Sequence, residues 1–359
     1  MISGAKIRTP VFALRCVAVL YFCFVAAGLY AAAPVVINDG FESVGLGRHL
    51  ELFEDTAKRY SIDDISSPFF SEKFTPSVSE NPNFGYTRSA IWARFFVRND
   101  TARDIEWLLE LPQPFVDHVD FFVLSEDGRM AFKTGDMHPF GTRPVKHRNF
   151  IFPVRQKPGL AACYLRVETT STLGLMLYLW TSRAFGAHED IENSVLWTFY
   201  GVMLAMLIYN LFIFISVRDR SYLYYVFFVA MLLLYTMTFN GISFKSLWPE
   251  SVWWANVSLS VFVHLLGFGF YLFARSFINT RETMPVLDRL LLALAGVCIV
   301  NVVIVLASPP GSADGLGVYT SIAGMAVITA VVVVSLKRRV RSAGIYLLAW
   351  LVYLIGVSV

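Results

Sequence analysis

The chain has 359 residues, 56% of them hydrophobic and only 16% charged, with a formal net charge of +3. Soluble globular chains carry about a quarter charged residues, so this composition excludes a chain that is soluble throughout and puts much of it in lipid. The charge is too small for a nucleic-acid partner, and none is expected. In chain order, the first element has the layout of a secretory signal. Lys6 and Arg8 are followed by an apolar stretch from Cys16 to Tyr30 and the small residues Ala31, Ala32 and Ala33. Pro34 disfavours a cut directly before it, so cleavage is expected after Ala31 or Ala32. Arg15 interrupts the run and leaves an uncleaved anchor as the alternative. Residues 1–33 are assigned to this segment. Cys16 and Cys23 lie in it, and Cys163 and Cys298 fall in regions of different character. Neither a disulfide framework nor a Cys-based zinc site is expected.

Residues 34–187 contain no apolar run long enough to span a bilayer, and strand-like alternation recurs. In "IWARFFVR" Ile91, Ala93, Phe95 and Val97 share one face and Trp92, Arg94, Phe96 and Arg98 the other. "DIEWLLEL", "VDHVDFFVL", "RMAFK", "NFIFPV", "CYLRVE" and "LGLMLYLW" read as further strands, separated by turn signals such as Pro112-Gln113-Pro114, Asp127-Gly128 and Pro158-Gly159. Seven or eight short strands predict a β-sandwich of jelly-roll or related type.

Residues 188–359 predict a transmembrane α-helical domain. Apolar segments run from about Ser194–Ser216, Tyr222–Ser243, Val252–Ala274, Leu290–Ala307, Val318–Leu336 and Ala343–Val359, against the roughly 20 residues a span needs. Loop charges set the orientation. The odd connections carry Arg218 and Arg220; Arg275, Arg281 and Arg289; and Lys337, Arg338, Arg339 and Arg341, whereas the even ones carry only Lys245. The odd connections are therefore cytoplasmic and the N-terminal domain is exported.

The densest collection of chemistry-bearing side chains is "GDMHPFGTRPVKHRNFIFPV", Gly135 to Val154. As a metal site it is poorly specified: His138 and His147 are nine apart, the i, i+4 pair of a helical zinc site is missing, and Pro139, Gly141 and Pro144 disfavour a helix. As a catalytic centre it lacks a nucleophile turn and an oriented base. As a binding element it asks for less. Arg143, Lys146, His147 and Arg148 supply donors and Phe140 a ring, the pairing that sugar recognition uses. The same residues equally suit a turn with ion pairs across a sheet. Tyr86 and Arg94, with Trp92, form a second and weaker group in which Trp92 suits the core. In the membrane half, Asn210, Asn240, Asn256, His264 and Asn301 are expected to hydrogen-bond between helices, and "GFG" at Gly267–Gly269 to permit close helix approach.

Six stretches together carry a family resemblance. "FGYTRSAIWARFFVRN", "LELPQPFVDHVDFF" and "GDMHPFGTRPVKHRNFIFPV" resemble the larger of two extracellular sensor domains found in bacterial seven-transmembrane receptors with diverse intracellular signalling modules. "FYGVMLAMLIYNLFIFISVRDRSYLYYVFF", "FNGISFKSLWPES" and "ARSFINTRETMPVLDRLL" resemble the membrane domain of the same group. The resemblance implies a jelly-roll-like module that binds a small ligand, a carbohydrate being the expected class, and helices that pass the signal to a cytoplasmic output. The sequence stops at Val359, within or just after the sixth apolar segment, so the seventh helix and output module that the resemblance leads one to expect lie outside it. A fragment, a truncated gene and a separate cytoplasmic signalling partner all fit that ending.

The expectation is thus a receptor in the bacterial inner membrane, with its sensor in the periplasm and no enzymatic activity or cofactor of its own. Its partners would be a small molecule, the lipid bilayer, a cytoplasmic signalling protein and a second copy in a homodimer. The rival is a transporter or assembly component with an accessory periplasmic domain. A membrane-bound glycan enzyme would need acids such as Glu110, Asp117, Asp120 or Asp136 to converge.

Overall fold

The computed structural model describes residues 32–126, 128–313, 315–340, 344, 347, 348 and 351. The signal-like segment up to Ala31 and most of the sixth apolar segment, Ala343–Val359, lie outside the described residues. The chain packs as two compact units, Met1–Lys133 with Ile151–Ala184, and Thr134–Phe150 with Phe185–Val359.

The first unit is β-rich. Its largest sheet orders β4 (Thr75–Pro76), β3 (Glu51–Asp55), β6 (Ala90–Asn99), β11 (Gly159–Glu168), β8 (His118–Ser125) and β9 (Gly128–Thr134), with β1 (Val35–Ile37) parallel to the end of β6. A second sheet orders β10 (Phe150–Gln156), β7 (Ile105–Leu111), β13 (Tyr178–Thr181) and β2 (Ser43–Gly45), and β12 (Thr172–Gly174) pairs with β5 (Asn83–Tyr86). Alternation places Ile91, Ala93, Phe95 and Val97 toward the second sheet, all buried. Phe121 of β8 stacks on Phe95 at 6.4 Å and meets Phe152 of β10 at 5.2 Å. Two polar side chains cross this core fully paired, as buried polar groups must be. Trp107 Nε1 donates to Gln156 Oε1 at 2.9 Å, and Gln156 Nε2 donates to the Val97 carbonyl at 3.0 Å.

The first half of the other face of β6, at Trp92 and Arg94, is buried as well, which alternation alone does not foresee. Two short helices, α1 (Ile62–Ile65) and α2 (Pro68–Ser71), lie against it, and Ile62, Ile65, Phe70 and Phe74 cluster with Trp92, Phe122 and Tyr164. Ser61 and Asp64 start α1 with a reciprocal capping box, and Pro68 opens α2 at a position where its missing N–H costs nothing. The stretch "LGLMLYLW" departs from expectation. It forms two strands in different sheets, because the Met176 N–H bonds back to the Gly174 carbonyl and bends the chain between them.

The second unit contains α3 (Ser182–Val217, from Phe185 on), α4 (Arg220–Phe239), α5 (Ile242–Ser246), α6 (Val252–Ile278), α7 (Thr280–Thr283), α8 (Pro285–Ala307) and α9 (Gly315–Lys337). Among the described residues five helices, α3, α4, α6, α8 and α9, are long and apolar enough to cross a membrane. Their interior is made mainly by α6, α8 and α9, through Tyr271, Ala274, Leu291, Ala295, Cys298, Ile328 and Val331. Small residues set the close approaches. A Cβ at Gly269 would stand 2.7 Å from the Phe227 ring, and one at Gly324 would stand 1.9 Å from Tyr271 Oη.

Candidate functional site

The outward face of β6, β11 and β8 carries the most concentrated chemistry of the β-rich unit. Register places Arg166 opposite both Trp92 and Asp120. Its guanidinium lies 5.8 Å from the Trp92 ring centre, 3.7 Å from Asp120 and in direct ion pairing with Glu168. Lys58, in the left-handed region at φ 53°, reaches Glu168 at 2.8 Å. Burial pushes the Glu168 carboxyl up, but hydrogen bonding from Lys58 and the charges of Arg166 and Lys58 outweigh it and hold it below its ordinary value. Two cations and two anions make the patch neutral overall while leaving it rich in donors and acceptors. Beneath them the Trp92 indole N–H is buried and meets no hydrogen-bond acceptor among the described residues.

The stretch from Gly135 onward takes a different place. Residues 134–150 belong to the helical unit. Phe140 packs edge-on against Phe244 at 5.5 Å, beside Ala255 and Trp248. Its N–H donates to the Pro249 carbonyl at 3.0 Å, and Asn256 Nδ2 donates to the Asp136 carbonyl at 3.0 Å. Arg148 pairs with Glu192. His147 Nε2 faces Glu189 at 3.4 Å, while its Nδ1 accepts from the Asn149 N–H at 3.1 Å. Arg143 is buried among Phe140, Phe150 and Phe244, 4.8, 4.1 and 5.9 Å from their centres, and donates to the carbonyls of His147 and Arg148. Burial lowers the Arg143 pKa to about 10, partly offset by Asp136.

The predicted binding residues are divided between the two compact units. Phe140, Arg143 and His147 are engaged in packing within the helical unit, Arg148 in an ion pair, and Lys146 is exposed beside them. Arg94 is buried in the β-rich unit, with Nε 2.6 Å from Glu51 and two further bonds to Ser71. Tyr86 is exposed on β5. The acids considered for glycan chemistry have separate engagements: Glu110 accepts from Trp180, Asp117 from the Thr170 N–H, and Asp120 faces Arg166. Among the described residues no three His, Cys, Asp or Glu side chains gather in a way that would hold a metal ion. Arg166, Glu168 and Lys58 were not singled out from the sequence. The signal was present in "CYLRVE", whose alternation puts Tyr164, Arg166 and Glu168 on the same side.

A β-rich domain joined to long apolar helices, with an excess of basic residues in the odd connections, defines a multi-pass membrane protein with an extracellular N-terminal domain. Two family models match the chain in that order. Residues 47–181 match the 7TMR-DISM extracellular 2 domain, and residues 192–359 match the 7TM diverse intracellular signalling domain. The chain belongs to the seven-transmembrane receptors with diverse intracellular signalling modules. No curated protein matches it.

Proposed function

We propose that this receptor senses a small, neutral, polyhydroxylated ligand, a carbohydrate, on the outward face of β6, β8 and β11. It would pass that event through the helices to a cytoplasmic output in the inner membrane of a bacterium, with no catalysis of its own. The observation that carries the ligand class is the buried Trp92 indole N–H without an acceptor, beneath a self-neutralised set of Arg166, Glu168, Asp120 and Lys58. An orphaned buried donor costs about 1–3 kcal/mol, and a hydroxyl would satisfy it. Paired guanidinium, carboxylate and ammonium groups present donors and acceptors without net charge, which suits hydroxyls better than an ion. The signal-like N-terminus and the basic odd connections support the cellular placement.

The test is a melting screen of the full chain in detergent against neutral hexoses, pentoses and disaccharides. A ligand that binds only the folded state raises the melting temperature. Trp92→Phe, which keeps a ring and removes the donor, and Lys58→Ala are expected to weaken the effective sugar by about tenfold, the worth of a single charged or buried hydrogen bond. If no sugar raises the melting temperature, the ligand class is wrong. A rise that both variants leave intact would remove this face as the site.

A further inference from the structure

We propose that the loop between β9 and β10, residues 134–150, is a lever through which the extracellular domain moves α3 relative to the rest of the helices; this rests on the receptor function proposed above. The chain passes between its two compact units at 133/134, 150/151 and 184/185. The loop therefore leaves the β-rich unit and returns to it. Its ends continue into strands of different sheets, β9 in the largest and β10 in the second. A shift of one sheet against the other must change the separation or angle of the two loop ends.

Within the helical unit the loop holds two sets of helices at once. On one side it grips α3 through Arg148 with Glu192 and through the His147 ring edge-on to Phe185 at 5.6 Å. On the other side it grips the corner between α5 and α6 through Phe140 with Phe244, the Pro249 carbonyl, and Asn256. The loop has little freedom of its own. Arg143 ties its C-terminal half together by bonding two carbonyls, and Thr134 and Thr142 are joined through their hydroxyls at 3.0 Å. A stiff loop passes on a displacement that a floppy one would absorb.

The helix it grips is free to respond. Among the described residues α3 buries Phe185, Tyr200 and Met203, whereas α6 buries ten residues. Tyr200 joins α3 to Thr236 and Asn240 through its hydroxyl. Among the described residues, moving α3 thus breaks few interior contacts, and the interior of α6, α8 and α9 can serve as the fixed frame. A small shift at one end is thereby delivered to an element with a low cost of motion.

The test uses the full chain in lipid nanodiscs and no ligand, so its failure is separable from failure of the sugar proposal. Spin labels at Val195 on α3 and Trp253 on α6, both exposed, report the separation of the two gripped elements, and hydrogen exchange reports β9 and β10. Arg148→Glu is expected to shift or broaden the label distance and to raise exchange at Phe150–Phe152 by about tenfold, the loss of one charge-assisted bond. The swap Arg148→Glu with Glu192→Arg is expected to restore both. Should Arg148→Glu fail to fold, Phe140→Leu loosens the opposite grip and is read in the same way, with the swap as reference. An unchanged label distance would overturn the proposal. So would a changed distance with unaltered exchange in β9 and β10, which would make the loop a fixture of the helices alone.

Discussion

Arg94 and Glu51 form an ion pair almost closed to water, the arginine additionally bonded to Ser71 and laid over Phe74 at 4.3 Å. Removing one partner strands the other charge, so Arg94→Met is expected to cost about 3–5 kcal/mol, while Arg94→Met with Glu51→Leu should recover most of it. Thermal unfolding of the purified chain decides this; a single variant as stable as the parent would mean that water reaches the pair. His147 makes a pH prediction. Burial holds its imidazole down at about 4; Glu189 pulls the other way, and Arg148, Lys245 and Arg143 push it further down. The folded loop therefore prefers the neutral ring, and the unfolded chain takes the proton first, near the ordinary value of about 6.5. This contribution is complete above about 6.5, is lost as pH falls from there toward about 4, and is constant below. Exchange protection of loop amides, corrected for intrinsic rate, should fall across pH 7 to 5 in the parent and stay level in His147→Asn. Equal slopes in the two proteins would rule His147 out as the titrating group.

At the scale of elements, local pattern and distant partnership separate cleanly. The long helices were legible because span length and hydropathy are properties of a continuous stretch, and the long strands because alternation is too. The role of Gly269 was also legible, as a small residue within an apolar run. The sheet order was not, nor was the splitting of "LGLMLYLW", since both depend on partners far along the chain. The loop at 134–150 shows the limit most directly. Its turn residues and the ring of Phe140 were visible, but nothing in that stretch names Phe244 or Pro249 as what the ring and backbone meet. Its basic residues suited a ligand site and a structural turn alike, because ion pairing and ligand binding draw on the same side chains. Close packing gives a prediction at this scale. Gly324→Ala puts a carbon where Tyr271 Oη stands and is expected to cost about 1–3 kcal/mol. Gly296→Ala meets nothing within 4 Å and should be neutral or slightly stabilising through helix propensity. The fraction remaining monodisperse after heating in detergent compares them; equal losses would show that α6 and α9 are not held at this spacing.

For the whole molecule, the start of α3 sets how a signal could travel. The helix begins at Ser182, directly after β13, and its first turn is capped by the Ala184 N–H donating to Thr181 Oγ1 at 3.2 Å. It has 36 residues, about 54 Å at 1.5 Å each, where a hydrocarbon core needs only about 30 Å. The surplus lies at the N-terminal end, where Glu189 and Glu192 sit, so the loop grips the part of the helix that projects beyond the apolar stretch. Strand β13 and the loop thus offer two routes to one helix, the first by direct continuation and the second by lateral grip. A short Gly/Ser insert between Thr181 and Ser182 interrupts the first route and leaves the second. With spin labels at Ser216 and Glu282, near the cytoplasmic ends, the sugar found by the melting screen is expected to shift the label distance in the parent. The insert should reduce that shift, and the insert combined with Arg148→Glu should abolish it, while the sugar still raises the melting temperature in every variant. A full response in the insert alone would assign transmission to the loop. A full response in the combined variant would show that neither connection carries the signal, because only a ligand that favours one arrangement over another can move the equilibrium between them.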